Sequence, residues 1–109
     1  MPTINTAQEL KTRLDLQDPN DILLDVRSEG EFQDGHITGA INLNVANMFH
    51  FLSEIKKLDK TKNYIVYCLS GSRSALASMI MGQNKLSAIN VKVGFPAWAS
   101  AGYPVAIGK

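Results

Sequence analysis

Apolar residues along this chain fall in two alternating patterns, continuous short runs and helical stripes, and the alternation predicts the elements. Ile22-Leu23-Leu24-Asp25-Val26 and Tyr64-Ile65-Val66-Tyr67 are nearly unbroken runs rich in β-branched and aromatic residues, the signature of strands covered on both faces. Around them stand segments of helical period. Thr6-Ala7-Gln8-Glu9 has the form of a capping box and precedes Leu10 and Leu14 at i, i+4, which predicts a helix from about Ala7 to Leu16. Gln17 to Asp21 reads as a turn. A second capping box, Ser28-Glu29-Gly30-Glu31, opens a short helical turn, and Ala40-Ile41-Asn42-Leu43 reads as a brief strand. Val45, Met48, Phe49, Leu52, Ile55 and Leu58 draw one apolar stripe along a helix whose other face carries Glu54, Lys56 and Lys57. Leu76, Met79 and Ile80 predict a further helix over Ala75 to Lys85. Ala88 to Val93 reads as the last strand, and Phe95-Pro96-Ala97-Trp98-Ala99 as a short helix with proline near its start. Strands alternating with helices predict an α/β fold, with helices on both sides of a parallel sheet.

Composition narrows this to one unit. At 109 residues, 45% hydrophobic and 19% charged, the chain is long enough for one core and too short for two ordinary domains, so residues 1–109 read as a single domain. The formal charge of +1, with lysines dispersed among acidic residues, gives no field that implies nucleic acid or an anionic membrane as partner. No run approaches the ~20 apolar residues of a membrane span, and Met1-Pro2-Thr3-Ile4-Asn5 lacks the basic start and apolar core of a signal peptide. The expected compartment is the cytoplasm. The single cysteine fits that reducing setting, and equally a mature periplasmic form from which a signal has been removed.

That cysteine, Cys68, stands where the Tyr64–Tyr67 run breaks into Leu69-Ser70-Gly71-Ser72-Arg73-Ser74 and then a helical segment. A strand-to-helix turn of this kind, with Gly71 free to take unusual backbone angles, aims several amide N–H groups at one point. The helix start and Arg73 add positive potential, and all three influences favour thiolate over thiol. An unpaired cysteine is more often an inert buried residue. A polar loop of small residues, an adjacent arginine and a helix start instead mark Cys68 as a nucleophile in an anion cradle.

Cys68-Leu69-Ser70-Gly71-Ser72-Arg73-Ser74 resembles the active-site loop of rhodanese-like sulfurtransferases. Two further blocks resemble the same family. One runs from Leu24-Asp25-Val26-Arg27 through Glu31-Phe32 and Gly35-His36-Ile37 to Gly39-Ala40-Ile41-Asn42-Leu43, and the other is Trp98 followed by Ala101-Gly102-Tyr103-Pro104-Val105. At one place the chain departs: the family usually shows a glycine pair before the tryptophan, whereas Val93-Gly94-Phe95 keeps one glycine. The resemblance implies a three-layer fold with a central five-stranded, mostly parallel sheet and helices on both faces. It also implies sulfur transfer, in which Cys68 takes a sulfane sulfur from an anionic small-molecule donor such as thiosulfate and passes it as a persulfide to a thiol, a protein acceptor or cyanide. Leu69, Ser70, Gly71, Ser72 and Arg73 would bind the substrate, and no metal or organic cofactor is called for.

Since ligands on open α/β sheets gather beyond the carboxyl ends of the strands, Asp25 and Arg27 should share an edge with Cys68 if their strands are adjacent. Asp25 within an apolar run reads as structural support, accepting hydrogen bonds from loop amides, from Arg27 or from a loop hydroxyl. Arg27 is balanced between a buried ion-pair partner and a group that meets the substrate. Ser74 is read as support for the loop, and either Ser72 or Ser74 as a cap of the next helix. Glu31 is accounted for by its capping box, and His36 by a loop-holding hydrogen bond. His50 reads as surface, and Trp98 and Tyr103 as packing. One rival is a cysteine phosphatase or arsenate reductase. The spacing opposes it, because cysteine phosphatases use Cys-x5-Arg whereas Cys68 to Arg73 is Cys-x4-Arg, a smaller ring better matched to one sulfur atom than to a phosphoryl group; the missing second cysteine opposes arsenate reduction further. The other rival is a non-catalytic or sulfur-carrier module, and a cysteine in a well-formed loop speaks against its purely binding form.

Overall fold

The computed structural model describes residues 2–109. Five parallel strands make the central sheet: β1 (Thr3–Ile4), β2 (Asp21–Asp25), β4 (Ile41–Asn42), β5 (Asn63–Tyr67) and β6 (Ser87–Val91), in the order β1-β6-β5-β2-β4. A small antiparallel ribbon pairs β3 (His36–Ile37) with β7 (Val105–Ala106). Among the helices, α1 (Ala7–Asp15), α2 (Glu29–Asp34) and α3 (Met48–Ile55) precede β5, whereas α4 (Ser72–Gln83) and α5 (Phe95–Ser100) follow it. The three layers and the five-stranded parallel sheet are those expected.

Alternation along β5 builds both cores. Tyr64 and Val66 point to one face and meet Phe51 and Ile55 of α3 and Ala77 and Met81 of α4. Ile65 and Tyr67 point to the other and meet Leu10 of α1 and Trp98 of α5. A central strand buried on both faces has no polar side to show, which is why its sequence is an unbroken apolar run. Both expected caps lie at helix starts, but only the second is a complete capping box: Thr6 Oγ accepts from the Glu9 N–H at 3.0 Å while the Glu9 carboxylate accepts from the Asn5 N–H instead of that of Thr6, and Ser28 and Glu31 cap α2 reciprocally.

Three expectations need correction. α3 is shorter than the apolar stripe, and Phe49, placed on that stripe, is 92% exposed. α4 begins at Ser72 rather than Ala75, which puts Arg73 in its first turn, and it faces the sheet differently from the prediction. Ser74, Ala77, Ser78 and Met81 are its buried residues, while Leu76 and Met79 are 42% and 49% exposed. Small side chains let the helix lie close against β6, and this contact outweighs the apolar spacing. Finally, β6 is not the last strand, because β7 follows it. The two-residue strands β1, β3 and β7 are too short to carry a period.

Candidate active site

Cys68 leaves the carboxyl end of β5 fully buried and aims its sulfur into the turn that starts α4. The Gly71 N–H points at Sγ at 3.1 Å, and Ser74 Oγ lies 3.5 Å from it, accepting from the thiol. Ser74 itself is anchored, its hydroxyl donating to the Gly71 carbonyl at 3.0 Å. The cap of α4 is Gly71, with φ +94° and no side-chain capping bond, so neither Ser72 nor Ser74 caps the helix. Gly71 has to be glycine for a second reason: a Cβ there would stand 2.5 Å from the Lys92 carbonyl oxygen. Leu69, Ser70 and Ser72 are exposed and form the outer side of the loop, with the two hydroxyls 3.4 Å apart.

Opposing influences act on the thiol. Burial pushes its ionisation up, but hydrogen bonds from the Ser74 hydroxyl and from the Ser74, Ser70 and Gly71 amides outweigh it, so the thiol is more acidic than usual. The departure before the tryptophan is also explained. A Cβ on Gly94 would stand 1.5 Å from the Leu69 carbonyl oxygen, and the Phe95 N–H donates to the Cys68 carbonyl at 3.0 Å. The retained glycine is therefore the one on which the loop rests, whereas Val93 packs against the second core cluster.

Arg73 differs from the expectation that it lends the cradle a free charge. Its guanidinium is held by Glu31 through two bonds of 2.8 and 2.9 Å. Glu31 thus does more than cap α2. Chiefly because of Arg73, its carboxyl is held at about 2, well below the usual range. The two residues are 42 positions apart, and no local signal joins them.

The expected adjacency of the strands holds, since Asp25 of β2 lies opposite Tyr67 of β5. The side chains of Asp25 and Arg27, however, are engaged with each other. Asp25 accepts from the Arg27 backbone N–H at 2.9 Å and from its guanidinium at 2.7 to 3.1 Å, and Arg27 donates onward to the Gly35 carbonyl at 2.6 Å. Arg27 also lies over the Phe95 ring, 4.6 Å from its centroid. Both residues are buried, and the two rings that Arg27 faces, Tyr67 and Phe95, belong to the second core, whereas Cys68 belongs to the first. Arg27 is thus an ion-pair partner. Asn42 fastens the same edge, donating to the Asp25 and Arg27 carbonyls. Tyr67, not singled out in the sequence, holds the ribbon by accepting from the Ile37 N–H at 3.0 Å.

His36 is buried, 2.7 Å from the Phe32 carbonyl and stacked on the Phe32 ring, a loop-holding role. His50 is exposed, and Trp98 donates to the Pro104 carbonyl while meeting Tyr103 edge-on. Among the described residues no group of three His, Cys, Asp or Glu side chains is gathered for a metal ion, and no helix is long and apolar enough to cross a membrane.

Comparison with known proteins identifies the family and the fold. Residues 6–101 match the family model described as Rhodanese-like domain. The thiosulfate sulfurtransferase GlpE of Pseudoalteromonas translucida is 34% identical over 90 residues, covering 81% of this chain and 83% of that protein. A probable molybdopterin-synthase adenylyltransferase of Porphyra purpurea is 32% identical over 72% of this chain, which spans only 20% of that longer protein. Among solved structures, a rhodanese-related protein from Thermoplasma volcanium superposes with a TM-score of 0.83 at 31% identity, covering 97% of this chain and 98% of that one.

Proposed function

The chain belongs to the rhodanese-like domain family, and on that footing we propose that it is a sulfurtransferase that carries a sulfane sulfur as a persulfide on Cys68. The observation that carries this reading is the buried Cys68 sulfur facing the Gly71 N–H at 3.1 Å at the start of α4. A thiolate held there is a nucleophile ready for attack. It attacks the outer sulfur of thiosulfate. A new S–S bond forms on Cys68 as the old one breaks, and the bonding pair leaves with sulfite, so the charge balances as thiolate plus thiosulfate gives persulfide plus sulfite. The terminal sulfur of the persulfide anion then lies within reach of the loop amides. A second nucleophile, cyanide in vitro or a small-molecule or protein thiol, takes that sulfur and returns Cys68 to thiolate. No second thiol on the chain is present to resolve the persulfide, so the acceptor comes from outside. Neither step calls for a metal or organic cofactor.

The phosphatase alternative is disfavoured by the pairing of Arg73 with Glu31, which occupies the guanidinium that would grip a phosphoryl group. The test is thiocyanate formation from thiosulfate and cyanide by wild type and Cys68→Ser, with intact mass measured after thiosulfate alone. The expected result is one added sulfur and turnover in wild type only. Wild type that gains no sulfur and makes no thiocyanate would overturn the reading.

A further inference from the structure

Glu31 is a carboxylate in the first turn of α2, a place where the start of a helix favours negative charge but does not require it. Its side chain accepts from the Ser28 N–H at 3.2 Å and the Ser28 hydroxyl at 3.0 Å, completing the capping box of α2. Glutamine serves that box as well as glutamate. The hydrogen bonds of the box therefore do not require the charge. What the charge meets is Arg73, in a bidentate pair that joins the start of α2 to the first turn of α4 beside the Cys68 loop.

We propose that Glu31 is a positioning residue that holds Arg73 in the wall of the loop and cancels its field at the Cys68 sulfur, thereby setting the affinity of the site for anionic sulfur donors. This rests on the sulfur-transfer reading. A ring of amides binds one sulfur atom through dipoles, and an unbalanced arginine beside it would add a full charge to that attraction. Donor and persulfide would then both be held more tightly. The other charged or titratable groups around the site leave this pair as the adjustable one. Asp25 and Arg27, at the end of β2, neutralise each other, and the Tyr67 hydroxyl of β5 is buried and pushed far up in ionisation. Lys92, whose carbonyl abuts Gly71, is exposed.

The deciding variant is Glu31→Gln, whose single amide oxygen, in the place of Oε1, still accepts from Ser28 and from Arg73 Nη1, while the charge and the Oε2 acceptor for Arg73 Nη2 are lost. Whichever way Arg73 then turns, one negative charge near Cys68 is gone. The pH midpoint of Cys68 alkylation by iodoacetamide, a neutral reagent, is expected to fall by about half a unit, and KM for thiosulfate by the equivalent factor of about three. The double variant Glu31→Gln, Arg73→Met, with both charges gone, is expected to return the midpoint to near that of wild type. A midpoint that stays or rises in Glu31→Gln, or a KM that does not fall, would overturn the proposal even if thermal stability drops, since a merely structural bridge predicts only that drop. If wild type makes no thiocyanate at all, the sulfur-transfer reading fails, while the alkylation midpoints still decide the role of Glu31.

Discussion

Cys68 is more acidic than an ordinary thiol although burial opposes it, and the balance is carried by very few hydrogen bonds. Ser74 contributes both its hydroxyl and its amide. While the sulfur is protonated, the Ser74 hydroxyl is free to donate to the Gly71 carbonyl; once the sulfur ionises, that hydroxyl is 3.5 Å away and is the natural donor to it. Ser74→Ala removes this donor and leaves the amides. A hydrogen bond to a charged group contributes roughly 1.5–3 kcal/mol, so the pH midpoint of alkylation in this variant should rise by about one unit or more, with proportionally slower reaction near neutrality. Glu31 makes a separate, stability-based prediction. Its ionisation lies at about 2 in the fold against an ordinary 4.5, so the stabilisation it gives is fully present above 4.5 and is lost as the pH falls toward 2. Acid denaturation followed by circular dichroism should therefore show a shallower loss of stability across that window in Glu31→Gln than in wild type.

At the scale of elements, α4 shows both what local sequence reveals and where it misleads. The strand that ends at Tyr67, the loop that holds Cys68 and the caps at Thr6 and Ser28 are legible because each is written in adjacent residues. The face of α4 is not, because apolar spacing says which side chains could be buried and not how closely the helix must approach the sheet. Ser74, Ala77 and Ser78 permit that approach, and Leu76 and Met79 are turned outward as a result. Met81→Ala should cost about 2–5 kcal/mol in urea denaturation, whereas Leu76→Ala and Met79→Ala should each stay within about 0.5 kcal/mol of wild type. The reverse ranking would show that α4 packs on its apolar stripe after all. The loop before α5 carries a different kind of constraint. Gly94 has ordinary extended angles, and its need for glycine comes only from the Leu69 carbonyl that a Cβ would strike at 1.5 Å. Gly94→Ala must displace backbone on one side or the other. It should lower thiocyanate formation at least tenfold in protein that remains folded, because the segment displaced is the loop that holds the sulfur.

Across the whole molecule, three segments converge on Arg27: the adjoining end of β2 through Asp25, the turn into β3 through the Gly35 carbonyl, and, far along the chain, the start of α5 through the Phe95 ring. This junction was only half legible. Asp25 stands out as an acid in an apolar run and Arg27 is a candidate partner two residues on, but nothing local chooses Arg27 over loop amides or a loop hydroxyl, or says that Gly35 supplies the last acceptor. Arg27 stands over the Tyr67 and Phe95 rings of the second core while the thiol belongs to the first, so the ion pair is expected to act as part of the frame. Asp25→Asn leaves a buried guanidinium without its counter-charge, a change that typically costs about 3–5 kcal/mol. A domain of this size has only about 5–15 kcal/mol to lose, so the variant is best measured at low temperature. The expected outcome is a large fall in the urea midpoint, with a rate of sulfur transfer, per folded molecule, within about threefold of wild type. The opposite result, stability kept and the rate per folded molecule cut by orders of magnitude, would move Asp25 from the frame of the site into its chemistry, and the hydrogen bonds that bind it to Arg27 would then have to open during turnover.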